Sequence, residues 1–182
     1  MAHLPYVDPK TAPDEVRETL ERLPLPLNIC HMMAHAQTNF RPLIRLGTSI
    51  LGQQKLSAKL RELAILRVAN LSPARYEWVQ HVPIAETTGA TAAQIEALER
   101  GEIEAVCFDE VERLVLRFTT EVVRDVRASQ ATFDALVARL SSQEVVELII
   151  AAGYYMLIAR LLETTAVDLE PARGHEILRT LG

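Results

Sequence analysis

The sequence predicts an all-α protein. Three observations carry this. No segment alternates apolar and polar residues with period two between hairpin turn signals. Apolar residues recur at helical spacing, as in Val16, Leu20 and Leu23. A helix-start signature, with a cap residue followed three positions later by Glu or Gln, recurs at Thr91/Gln94, Asp109/Glu112 and Ser141/Glu144.

Residues 1–12 read as extended, with Pro5, Pro9 and Pro13 discouraging a helix. Pro13 suits a first helical position, Asp14 and Glu15 favour a start there, and Pro24 and Pro26 stop that helix. The apolar stretch from Asn28 to Phe40 predicts a helix capped by Asn28, and Phe40 to Leu51 another ending near Gly52. Ser57 is the expected cap of residues 58–70, which are apolar nearly all round and therefore buried. Ser72 and Pro73 open the next helix, and Gly89 ends it. The three capping signatures start a short helix ending near Gly101, a helix over 111–126 and a long helix to about Thr165. Ser129 starts a short helix over 130–140. Residues 100–109 are expected to form an exposed loop and a candidate hinge, and 169–182 a tail with a short helix from Ala172.

The expected organisation is one domain over 1–182: an N-terminal region with extra helices (1–40), a core (41–165) and a tail (166–182). Hydrophobic residues make up 49% of the 182 and charged residues 24%, a globular balance that leaves disorder out. Two cysteines, Cys30 and Cys107, exclude a disulfide-stapled scaffold and a four-thiolate zinc site within one chain. A net charge of -5 and 5% aromatic residues argue against nucleic acid as a partner. The N-terminus lacks the basic start and apolar core of a signal peptide. The longest apolar run, Leu148 to Ala159, falls short of the ~20 residues that span a bilayer. A cytoplasmic protein without a membrane partner is the expectation.

The chemistry concentrates between Leu60 and Gly89. Glu62 lies in the buried helix, where a charge needs a partner; Arg61 or a partner subunit is the plain structural answer. Glu77 and His81 stand four apart on the next helix, hence on one face. A carboxylate there orients an imidazole and favours its protonated form. The competing view is a Glu–His pair on a solvated helix face. Tyr76 and Gln80 flank the pair, and Pro83 predicts a kink beyond it. His31 and His35 have zinc-compatible spacing, but a site needs a third ligand and no glutamate stands between them, so no metal is assigned. His35 is instead placed in the lining of a pocket opposite His81. Tyr154 and Tyr155 need hydroxyl partners if buried, and Glu147 and Arg160 bracket the long helix as candidates for pairing between subunits.

The run Glu62-Leu-Ala-Ile-Leu-Arg-Val-Ala69, then Tyr76-Glu-Trp-Val-Gln-His81, then Ala85 and Gly89, resembles the carboxymuconolactone decarboxylase family. Weaker likeness extends through Ile95, Leu98, residues 144–148 and 153–160, so it covers most of 30–165. The family shares its fold with alkylhydroperoxidase D-like proteins. The peroxidase branch carries Glu, then Cys-x-x-Cys, then His. Laid on this chain, Glu62 and His81 take the outer positions, and Ala74 and Glu77 stand where the two thiols would be. Peroxide reduction by that route needs both thiols. The decarboxylase branch carries Tyr-Glu-Trp and His, as here. It implies cofactor-free chemistry on a small carboxylated or lactone-like metabolite. In that reading His81 transfers the proton, Glu77 orients or tunes it, and Glu62 is a second acid/base or an anchor for the imidazole. Tyr76 donates to a substrate oxygen, and Arg67 or Arg41 meets a substrate carboxylate. The resemblance also implies a homo-oligomer, commonly a trimer or hexamer, with sites near subunit contacts. A helix apolar on most faces points the same way. The chain is longer at its N-terminus than a minimal decarboxylase, by about a helical hairpin. The alternatives are a peroxide-reducing enzyme, disfavoured by Ala74 and Glu77, and a non-catalytic oligomeric binding module.

Overall fold

Each capping signature read from the sequence opens a helix in the computed structural model, which describes residues 1–173 and Glu176. Nine helices follow one another among those residues and no strand occurs. They are α1 (Asp14–Glu21), α2 (Asn28–Met33), α3 (Gln37–Gln53), α4 (Ala58–Leu71), α5 (Arg75–Thr87), α6 (Ala92–Glu99), α7 (Glu110–Asp125), α8 (Gln130–Val137) and α9 (Ser142–Thr165). At α6, α7 and α9 the cap side chain accepts from the third backbone N–H, and the glutamine or glutamate there returns a bond to the cap. Ser129 caps α8 through Thr132 N.

Three boundaries differ from expectation. The chain turns at 34–36 rather than at Phe40, so α3 begins at Gln37. Asn28 is not a cap: its backbone N–H donates to Glu170 and its amide to the Asp168 carbonyl, so it anchors the tail. Ser72 closes α4 through a bond from its N–H to the Val68 carbonyl, and α5 starts later, behind Ala74. Gly89 and Gly101 end their helices at φ of 100° and 76°, a region open to glycine.

α4 is the centre of the fold. It packs against α5, α7 and α9, and Leu63, Ala64, Ile65, Leu66 and Val68 are fully buried. Its all-round apolarity is therefore satisfied inside one chain, not by a second copy. The exposed apolar stripe lies elsewhere, on α9, at Val146, Ile149, Ile150 and Leu157. α9 has the length and apolarity of a membrane span, but Leu148, Ala151, Ala152, Tyr155 and Ala159 are buried within the chain. The segment 100–109 is a loop, as expected, with Arg100, Glu102, Glu104, Val106 and Asp109 exposed, but its other side is pinned to the core. Phe108 is buried, Ile103, Ala105 and Cys107 pack beside it, and Gln94 donates to the Cys107 carbonyl.

The two ends of the described chain meet. The Met1 amino group, Ala2 N and the Tyr6 hydroxyl all reach Asp168. The tail then runs along α5, where Gln80 donates to the carbonyls of Glu170 and Pro171 and accepts from Arg173 N. His175, and all but Glu176 of the helix expected beyond Arg173, lie outside the described residues.

Candidate active site

Two adjacent helices bring the central pair together. Glu62 sits midway along α4 with no exposed surface, and His81 faces it from α5. His81 Nδ1 lies 2.8 Å from Glu62 Oε2, and Arg61 Nε donates to Oε1 at 3.0 Å. Arg61 is buried too, so Glu62 holds a charge-compensated place rather than an orphaned one. With Nδ1–H donated to the carboxylate, Nε2 is the ring nitrogen left for a ligand. The imidazole is wedged edge-on against Tyr155, with ring centroids 4.7 Å apart.

His81 forms part of the wall of a cavity of about 160 Å³ between α2, α3, α5 and α9. The wall is mainly apolar, with Leu25, Ile29, Ile44, Leu51 and Ile158 among its residues. Cavities on the order of 150 Å³ admit a single six-membered ring. The polar side chains in the wall are Thr48, Tyr76, Glu77, Gln80, His81, Tyr154 and Tyr155. Among the described residues, no lysine or arginine lines it.

The other expected residues divide. Glu77 is in the wall, but neither carboxyl oxygen has a hydrogen-bond partner among the described residues, so it does not orient His81; Glu62 does. Burial, and then the Glu163 carboxylate, raise the Glu77 acid well above its ordinary value. Tyr76 is in the wall too, but its hydroxyl donates to Glu170 of the tail. Burial and that carboxylate push its phenol up. His35 is not in the wall: it is exposed and bonds to the Pro5 carbonyl, while His31 bonds to that of Val7. The two histidines tie down the N-terminal segment, and among the described residues no three ligating side chains converge on a metal position. Arg67 is not in the wall either. It leaves α4 on the side of α7, donating to Thr120 Oγ1 and Asn70 Oδ1, because a residue five positions after Glu62 points to another face of the helix. Arg41 reaches Glu15, at 3.9 Å. Glu147 accepts from Leu56 N within its own chain, and Arg160 donates to the Met156 carbonyl.

Tyr154 and Tyr155, singled out in the sequence for their hydroxyls, both line the cavity. Sequence reasoning missed Gly47 and the tail acid Glu170; neither has a local signal, and each reaches the site through the packing of distant segments. The Tyr154 hydroxyl donates to the Leu43 carbonyl, and a Cβ on Gly47 would meet that hydroxyl at 2.6 Å, so Tyr154 needs the glycine. Cys30 also lines the cavity, where burial pushes its thiol up to about 12, so at neutral pH it stays an unreactive thiol.

Comparison with known proteins fits this arrangement. The sequence profile of the carboxymuconolactone decarboxylase family matches residues 38–121, a stretch that contains Glu62, Glu77 and His81. No curated protein matches the chain by sequence. Among solved structures, an alkylhydroperoxidase D core protein from Ralstonia eutropha JMP134, described as an uncharacterized peroxidase-related protein, superposes with a TM-score of 0.79 at 16% identity, over 97% of this chain and 94% of that one. A protein of unknown function from Agrobacterium tumefaciens, described as a putative antioxidant defence protein, gives 0.68 at 20% identity, over 75% and 94%. A debrominase, Bmp8, with a cysteine replaced by alanine and in complex with 2,3,4-tribromopyrrole, gives 0.76 at 16% identity over 100% of both chains. These likenesses establish the alkylhydroperoxidase D-like fold.

Proposed function

We propose, from the match of the carboxymuconolactone decarboxylase family profile to residues 38–121, that the chain is a cofactor-independent acid/base enzyme acting on a small lactone-like ring. The observation that carries this is the Arg61–Glu62–His81 relay, with His81 set in the wall of a ring-sized apolar cavity. Glu62 fixes the tautomer and the plane of the imidazole. Nε2 is then placed to move a proton to or from a carbon of the ligand. In a decarboxylation, the electron pair of the breaking C–C bond flows into the unsaturated carbonyl, carbon dioxide leaves, and His81 protonates the resulting dienolate. Among the described residues the wall offers no cation for a substrate carboxylate, which favours the lactone-like over the carboxylated part of the expectation.

Peroxide reduction is supported less well. Ala74 and Glu77 occupy the thiol positions of that branch, and Cys30 is held as a neutral thiol. We propose further that the protein is soluble and cytoplasmic and that it associates with copies of itself. The exposed α9 stripe of Val146, Ile149, Ile150 and Leu157 supports self-association.

The test is turnover of unsaturated lactones and their carboxylated counterparts, followed by product analysis and carbon dioxide release. His81→Asn, which keeps a donor toward Glu62, is expected to lower turnover by about 10²–10⁴-fold while remaining folded. Full turnover in that variant removes His81 from the chemistry. No turnover of any lactone, together with a strongly destabilised variant, favours the non-catalytic binding module.

A further inference from the structure

Glu77 is a wall residue that the proposed relay does not use. It is 2% exposed, and both carboxyl oxygens lack a partner among the described residues. Such a group costs stability unless something else completes it. Among the described residues its surroundings supply no counter-charge. Tyr154 and Tyr155 face the same cavity from α9, Cys30 from α2 and His81 from α5, while the charged neighbour felt from α9 is the like-charged Glu163. The guanidinium nearest the relay, Arg61, is already committed to Glu62. An ionised Glu77 would therefore be a second buried anion with nothing to balance it. A protonated one is a neutral donor, one O–H directed at whatever oxygen or nitrogen a ligand presents.

We propose that Glu77 is a neutral carboxylic-acid donor to the carbonyl oxygen of an uncharged ring ligand, completing a two-point site with His81. This rests on the acid/base reading above and narrows its substrate class to uncharged carbonyl compounds. His81 Nε2 removes a proton from the carbon beside the carbonyl. The C–H electron pair becomes a C=C bond, and the carbonyl π pair moves to oxygen, where the Glu77 O–H holds it by hydrogen bond. Return of the proton from Nε2 to another carbon of the conjugated system closes the cycle as an isomerisation, with no redox change and no other reactant.

The test uses the full-length protein and butenolide, an uncharged unsaturated lactone, with a ring-carboxylated butenolide as the contrast. Infrared difference spectra at neutral pH are expected to show a protonated carboxyl band in wild type that Glu77→Gln lacks. Adding butenolide shifts that band to lower frequency. Glu77→Leu weakens butenolide binding about tenfold, the equivalent of one hydrogen bond. Glu77→Gln, whose amide still donates, stays within a few fold of wild type, and the carboxylated ring binds more weakly than the neutral one. A carboxylate band for Glu77 at neutral pH, undiminished binding in Glu77→Leu, or no butenolide binding by wild type overturns the proposal. His81→Asn separates the two claims. If it binds butenolide and shifts the band but turns lactones over normally, the relay reading fails and the donor stands. If it is inactive while Glu77→Leu binds like wild type, only the donor fails.

Discussion

Glu112 on α7 and Glu77 on α5 are buried to nearly the same degree, 3% and 2% exposed, and their environments are opposite. Glu112 Oε2 accepts from Asp109 N at 2.9 Å and from Gln94 Nε2 at 2.7 Å, while Oε1 lies 2.6 Å from Lys59 Nζ. It is a capping-box residue that also joins α4, α6 and α7. Glu77 has no partner for either oxygen among the described residues and faces a mainly apolar cavity. Burial alone does not separate a structural acid from a functional one; the partner list does. A carboxylate bonded on both oxygens stabilises the empty protein. One with none weakens it, and makes sense where a ligand supplies the missing bond. Glu62 stands between the two, structurally satisfied by Arg61 and chemically coupled to His81.

Three substitutions press on this contrast. The largest effect is expected at Glu62→Ala, which strands the Arg61 charge in the core. A loss of about 3–5 kcal/mol follows, read from urea denaturation. A loss below about 1 kcal/mol would show that Arg61 finds another partner and that Glu62 is not the hub. Glu112→Ala comes next, at about 2–3 kcal/mol, most of it from the Gln94 and Asp109 bonds, since Lys59 is partly solvated. A negligible loss there would erase the distinction between the two acids.

Glu77→Leu is expected to be smallest and of opposite sign, a gain of about 1 kcal/mol near pH 5. The gain grows with pH. The folded Glu77 keeps its proton above the ordinary carboxylate range, whereas the unfolded chain has released it. Between those two values the native state binds more protons, so wild-type stability falls by up to about 1.4 kcal/mol per pH unit from this group. Below the ordinary range both states are protonated and the slope vanishes. The leucine variant lacks the slope, so the difference between the two melting curves, followed against pH, isolates it. A difference that stays flat or shrinks as pH rises would mean that Glu77 ionises in the fold.

The sequence by itself determined the helices whose signals are local. Thr91/Gln94, Asp109/Glu112 and Ser141/Glu144 mark their starts because the capping bonds join residues only three apart. The apolar run of α4 announced its burial, and Tyr76, Glu77 and His81 of the motif lie in the cavity wall, with Glu62 behind His81. Tertiary structure decided the roles within that wall. Spacing of four made Glu77 the natural partner of His81, but the packing of α4 on α5 gave that place to Glu62, nineteen residues away, and left Glu77 unpaired. It also turned Arg67 toward α7, drew His35 out to Pro5, and delivered Tyr155 and Glu170 to the site from the far end of the chain. Helical periodicity fixes which residues share a face of one helix. Which faces meet, and so which buried charge finds a partner, is settled only when the helices pack.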